Sequence, residues 1–118
     1  MIKRSEVSGG WGEGGVFIAS KEKYHKEIGV GDIASIVVPL CNKYNVVVPT
    51  FEIRPHRRCQ WGMCYPTKNL IALNLPIKLG TIYHELAHHI TCKKYGIYHN
   101  HDNYFKMILT ELLEHAEI

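Results

Sequence analysis

The feature that most limits how this chain can fold is a helix-forming stretch running from about Pro76 to Tyr95, with Gly96 placed to stop it. His84 and His88 lie four residues apart within it, so a helix stacks both imidazoles on one face, one turn apart. At about 100° per residue, with His84 at zero, His88 falls near ~40° and Glu85 near ~100°. Leu79, Ile82, Tyr83, Leu86 and Ile90 gather between about 160° and 260°. Chemical and apolar side chains therefore occupy different faces, a separation that a core helix with incidental histidines has no reason to keep.

The remaining elements follow from shorter signals. Asp32 suits the N-cap of a helix through about Tyr44, with Ile33, Ile36, Val37, Leu40 and Cys41 at helical spacing. Pro39 falls inside that pattern and is expected to kink the helix or end it early. Val46 to Ile53 is rich in β-branched residues and predicts a strand. Residues 59–65 form a second strand or a turn around Gly62, and Asn69 to Asn74 a third strand. A last helix starts near Asp102, with Phe105, Ile108, Leu109, Leu112, Leu113 and Ala116 on one face. Helix, strands, helix, helix predicts an α+β fold, a small mixed or antiparallel sheet with the helices gathered on one side. Residues 8–15 are glycine-rich, match no phosphate-binding pattern and read as a flexible loop. Residues 16–20 read as a short strand or the lead into a helix.

At 118 residues the chain fits a single domain. Its net charge of +3 does not demand a nucleic-acid partner. No apolar run approaches the ~20 residues of a membrane span, and the first residues show no apolar stretch like a signal peptide. The expectation is a cytoplasmic protein whose four cysteines, Cys41, Cys59, Cys64 and Cys92, are free thiols. Cys59 and Cys64 could also bracket a hairpin and pair, or join a structural zinc site, but the spacing matches known zinc patterns poorly.

Two histidines at this spacing with a glutamate after the first are the pattern zinc hydrolases use: the histidines bind metal, and the glutamate takes a proton from a metal-activated water. By chance the pattern arises in roughly 4% of shuffled chains of this composition, so a third ligand matters. A catalytic zinc wants three protein ligands and an open position. A chain that leaves one helix at Gly96 and enters the next at Asp102 can fold back and present His101 to the metal. His99 is the rival, and Glu111 or Glu114 from the last helix would supply a carboxylate instead. Tyr65 and Tyr104 are candidates for contacting an oxyanion or the substrate, and Tyr83 points to the core side.

His84-Glu85-Leu86-Ala87-His88 followed by His101-Asp102-Asn103-Tyr104-Phe105 resembles the SprT-like metallopeptidases. The resemblance spans about residues 59–117. It implies a zincin-like fold, peptide-bond hydrolysis, His84, His88 and His101 as zinc ligands, Glu85 as general base and Phe105 as a packing residue. It also implies that the strand from Asn69 to Leu75 runs along the cleft and can pair with an extended substrate. Asp102 stands where the family usually has glycine, and no zinc ribbon or DNA-binding extension is seen, so a role on DNA-bound substrates is not carried over.

Two other readings compete: a non-catalytic module that keeps the metal, and a regulatory peptidase acting on one partner, as in the ImmA/IrrE-like group, whose third ligand is typically a carboxylate. A protein or peptide substrate is the expected partner, a membrane is not, and the sequence leaves the oligomeric state open. His89, near ~140° on the wheel, reads as a helix-surface or outer-shell residue. His25, His56 and His115 read as surface residues. Arg54, His56, Arg57 and Arg58 read as a solvated turn before contact with nucleic acid or an acidic partner. Trp11 and Trp61 read as core or core-edge residues before groove lining.

Overall fold

Strand β3 (Leu70–Asn74) is the centre of the architecture. The computed structural model describes residues 25–96 and 101–116, with side chains through residue 114. The glycine-rich stretch, Trp11, residues 16–20 and His99 lie outside them. Among the described residues β3 is flanked by β1 (Thr50–Arg54), parallel to it, and by β2 (Gly62–Tyr65), antiparallel. The sheet is therefore mixed, in the order β1-β3-β2. β2 and β3 are joined by a single 3-10 turn, Pro66–Lys68, closed by Asn69 in the left-handed region at φ 50°. Asn tolerates that conformation better than most residues.

Both edges of β3 are occupied, which corrects the expectation that this strand pairs with an extended ligand. Among the described residues the outer edge of β2 has no strand beside it. That strand, which sequence patterning left undecided between strand and turn, is buried at Gly62, Met63 and Cys64.

The predicted strand at Val46 to Ile53 begins only at Thr50. Two of the four preceding residues, Val46 and Pro49, cannot join a ladder through their nitrogens. Helix α1 (Ile33–Tyr44) ends at Asn45 in the left-handed region, and the Val46 amide donates to Cys41 O at 3.0 Å as part of that cap. Pro49 has no amide to give. The ladder starts where Thr50 N donates to Asn69 O at 2.8 Å.

Pro39 does not end α1, which runs on to Tyr44. An interior proline costs about 3 kcal/mol, but Val37, Leu40 and Cys41 on either side are buried in the core and hold both halves of the helix. A 3-10 turn, Val30–Asp32, leads into α1. Asp32 occupies the N-cap position without a side-chain capping bond, and the Ser35 hydroxyl donates instead to Asp32 O at 2.8 Å.

Helix α2 (Leu79–Tyr95) packs on β2 and β3, and α3 (Asn103–Ala116) packs on α2. Gly96 stops α2 with φ 103°, and Asp102 Oδ1 accepts from Phe105 N at 3.0 Å to start α3, both as the sequence predicts. Phe105, Ile108, Leu109 and Leu112 are buried as the helical spacing requires. Every side chain of α2 from Thr81 to Thr91 is buried, so the helix is covered on all sides rather than on one apolar stripe.

All four cysteines are free thiols. Burial pushes the Cys41 thiol up to about 11 and Cys64 well above its ordinary value. Reactivity follows the thiolate. In native protein at about pH 8, Cys59 should react with a thiol reagent while Cys41 and Cys64 stay unmodified until unfolding. Peptide mapping checks this, and rapid labelling of Cys64 would contradict the packing of β2 on α2.

Candidate metal centre

The centre is built where α2 meets the first turn of α3. His84 and His88 project from successive turns of α2, and His101 arrives just before the Asp102 cap of α3. Their nitrogens lie within 4.8 Å of one another. The His84 and His101 Nε2 atoms are 3.2 Å apart. Two imidazoles bound to a tetrahedral zinc at ~2.0–2.1 Å have their nitrogens about 3.3 Å apart, so this edge already has the dimension such an ion imposes. The three ring centroids stand 5.0 Å from one another, arranged as a triangle.

Phe105 closes that triangle from beneath. Its ring lies 4.4 Å from His88, 4.8 Å from His101 and 5.3 Å from His84, centroid to centroid, and it is fully buried. The Asp102 cap fixes the start of α3, which places His101 one residue before the cap and Phe105 three after it. The aspartate therefore does structural work that a glycine at this position could not do.

Glu85 faces a different neighbour. A β carbon placed on Gly62 of β2 would come within 3.2 Å of Glu85 Cγ and 3.0 Å of Thr81 Cγ2. Only glycine lets the edge strand lie this close to α2. Both Glu85 carboxylate oxygens are buried with no hydrogen-bond partner, as is the Thr81 hydroxyl one turn earlier. Burial pushes the Glu85 carboxyl well above the usual carboxylate range.

The other candidates are distributed elsewhere. Glu111 accepts a 2.5 Å hydrogen bond from the Tyr44 hydroxyl, which ties α3 to α1. Burial first, and that bond second, push Tyr44 above its ordinary value. Glu114 is exposed. Tyr65 alternates with Cys64 and so lies on the sheet face away from α2. There Arg54 donates to its hydroxyl at 3.3 Å. Tyr104 is exposed and stacks on Tyr95 with ring centroids 4.5 Å apart. Tyr65 thus lies on the opposite side of the sheet from α2 and its histidines.

His89 corrects an expectation. It is fully buried, not on the helix surface, and its Nε2 is 2.8 Å from Val47 O. Burial lowers its proton affinity, which suits a neutral ring whose N–H donates to that carbonyl. His56 is exposed and meets Trp61 edge-on at 6.2 Å, while Arg57 and Arg58 are exposed in the same loop.

Neither known family models, nor curated proteins, nor solved structures match the chain.

Three buried or half-buried imidazoles of this spacing can hold one metal ion. Nitrogen donors suit zinc and its neighbours in the first transition row rather than calcium or magnesium. Zinc titration should give one tight site in the wild type. His101→Ala should weaken it by more than ~100-fold, since even outer-shell losses cost 10–100-fold. Glu111→Ala should leave zinc affinity intact and cost about 1–2 kcal/mol of stability through the orphaned Tyr44 hydroxyl. The reverse pattern would move the third ligand to the carboxylate.

Proposed function

We propose that the protein is a zinc-dependent peptidase of the zincin type, with His84, His88 and His101 as ligands and Glu85 as general base. The observation that carries this reading is the environment of Glu85. A buried carboxyl group without a hydrogen-bond partner costs ~1–3 kcal/mol or more. Packing does not require it there, and neither does a cage of three imidazoles. A base that takes a proton from water beside the metal does require it. The resemblance of the two histidine motifs to SprT-like metallopeptidases supports the same assignment.

His84, His88 and His101 would hold Zn²⁺, which when bound would supply Lewis-acid activation of water and of a substrate carbonyl. Glu85 accepts the proton of the attacking water as its oxygen bonds to the peptide carbon. The same carboxyl then delivers that proton to the departing amine as the C–N bond breaks. Burial raises the Glu85 carboxyl, the direction that makes its carboxylate a stronger proton acceptor. Gly62 lets β2 lie directly against Glu85. Phe105 keeps the three rings from splaying.

One feature favours a second reading, a metal-holding module without catalysis. His84, Glu85 and His88 are all nearly inaccessible, and closed sites are the habit of structural zinc. Glu85→Gln separates the two. As a peptidase, the variant keeps zinc affinity and loses ~10²–10⁴-fold in cleavage of an unfolded protein substrate. Cleavage unchanged by Glu85→Gln, or none by the zinc-loaded wild type, would leave only the metal-holding module.

A further inference from the structure

Helix α2 buries two threonines, and only one of them does what a threonine inside a helix ordinarily does. The Thr91 hydroxyl donates back to Ala87 O at 2.6 Å, four residues earlier. Thr81 is just as deeply buried, yet its hydroxyl has no hydrogen-bond partner among the described residues. The two carbonyls a helical threonine would use here are already engaged. Ile77 O accepts from Ile28 N at 2.9 Å, and Lys78 O accepts from Ile82 N at 3.2 Å. A valine has the same shape and no hydroxyl to bury, so packing alone does not favour threonine. A hydrogen bond left unmade in the interior costs stability.

Thr81 shares its surroundings with a second buried group in the same condition. Glu85 lies one turn on, and with His84 at zero the two fall near ~60° and ~100° around the helix. Thr81 Cγ2 and Glu85 Cγ lie 3.0 Å and 3.2 Å from one point, the position a β carbon on Gly62 would take. Long side chains on a helix lean toward its N-terminus, over the residue four places before. Glu85 therefore leans toward Thr81 and away from His89. The neutral His89 ring has no donor to offer it, because Nε2 is committed to Val47 O and Nδ1 is left a bare acceptor. Threonine populates two χ1 rotamers in helices. A rotation that exchanges Cγ2 for Oγ1 puts the Thr81 hydroxyl beside the Glu85 carboxylate.

We infer that Thr81 is a positioning residue for the proposed general base: its hydroxyl donates to one Glu85 oxygen and so fixes how the carboxylate presents the other. The inference rests on the peptidase reading of the centre. Ala72 O, also 3.0 Å from the Gly62 point, is the rival acceptor. A hydrogen bond to an ionised carboxylate is roughly twice as strong as one to a peptide carbonyl, which favours Glu85.

The test compares Thr81→Val, which keeps the shape and removes the hydroxyl, with Thr81→Ser, which keeps the hydroxyl. In zinc-loaded protein acting on an unfolded protein substrate, Thr81→Val should lower kcat by ~10–100-fold, the loss expected for a hydrogen bond to a charged group. KM and zinc affinity should not change. Thr81→Ser should keep most of kcat, and Thr81→Val should cost nothing further in Glu85→Gln protein. A kcat untouched by Thr81→Val, or lost equally in Thr81→Ser, would overturn the inference. Urea unfolding at fixed free zinc supplies a readout that needs no cleavage. In a double-mutant cycle, Thr81→Val and Glu85→Met should couple by the equivalent of ~10-fold in the unfolding equilibrium. Additive effects would assign the hydroxyl to Ala72 O and end the pairing. The two arms tell the failures apart. Coupling without cleavage by the zinc-loaded wild type keeps the pair and sinks the peptidase. Cleavage with additive substitutions keeps the peptidase and sinks the pair.

Discussion

Burial of α2 on every side is the constraint on which the rest of the structure depends. A helix covered by a sheet on one side and by another helix on the next must answer for each polar group it takes into the interior. His89 does so at Nε2 through Val47 O, while its Nδ1 has no hydrogen-bond partner, and the Thr91 hydroxyl does so through Ala87 O. His84 and His88 are met by His101 and the Phe105 ring. Glu85 and Thr81 are not answered within the protein. The interior of a small domain has been given a cluster of titratable groups whose burial is unfavourable on its own, a cost that a cation held by the three histidines would offset.

The supports of this cluster are local and separable. Asp102 caps α3 and so sets where His101 arrives. Phe105 fixes the distance between the rings from α2 and the ring that precedes α3. Gly62 sets how closely the edge strand approaches Glu85. The Tyr44–Glu111 hydrogen bond fastens α3 to α1 at a distance from the rings, so the platform under the histidines is braced from two sides. The basic loop before β2 is fastened to β3 through Asn74, whose side chain donates to Pro55 O and whose backbone amide donates to Trp61 O, while Arg57 and Arg58 stay exposed.

Much of this was legible in the sequence because it rests on periodicity and caps. The spacing of His84, Glu85 and His88, the stop at Gly96 and the start at Asp102 are local signals, and together they bring His101 back to α2. The misread parts depend on tertiary commitments. Val46 is consumed by the cap of α1, so β1 starts late. Pro39 is tolerated because core contacts hold both halves of its helix. His89 is buried because an irregular segment preceding β1 happens to offer it a carbonyl. The place of β3 between two strands is a matter of strand order, which no pattern within a single strand encodes. Zincin-likeness and peptidase activity rest on motif resemblance and on the chemistry of the site.

The proposed centre is one cage, three imidazoles around one ion with a position left for water. X-ray absorption at the zinc edge of the loaded wild-type protein reads that coordination directly. The account predicts three imidazole nitrogens at ~2.0–2.1 Å and one oxygen at a similar distance, with no sulfur at ~2.3 Å. A spectrum with sulfur ligands, or with fewer than three imidazoles, would contradict it.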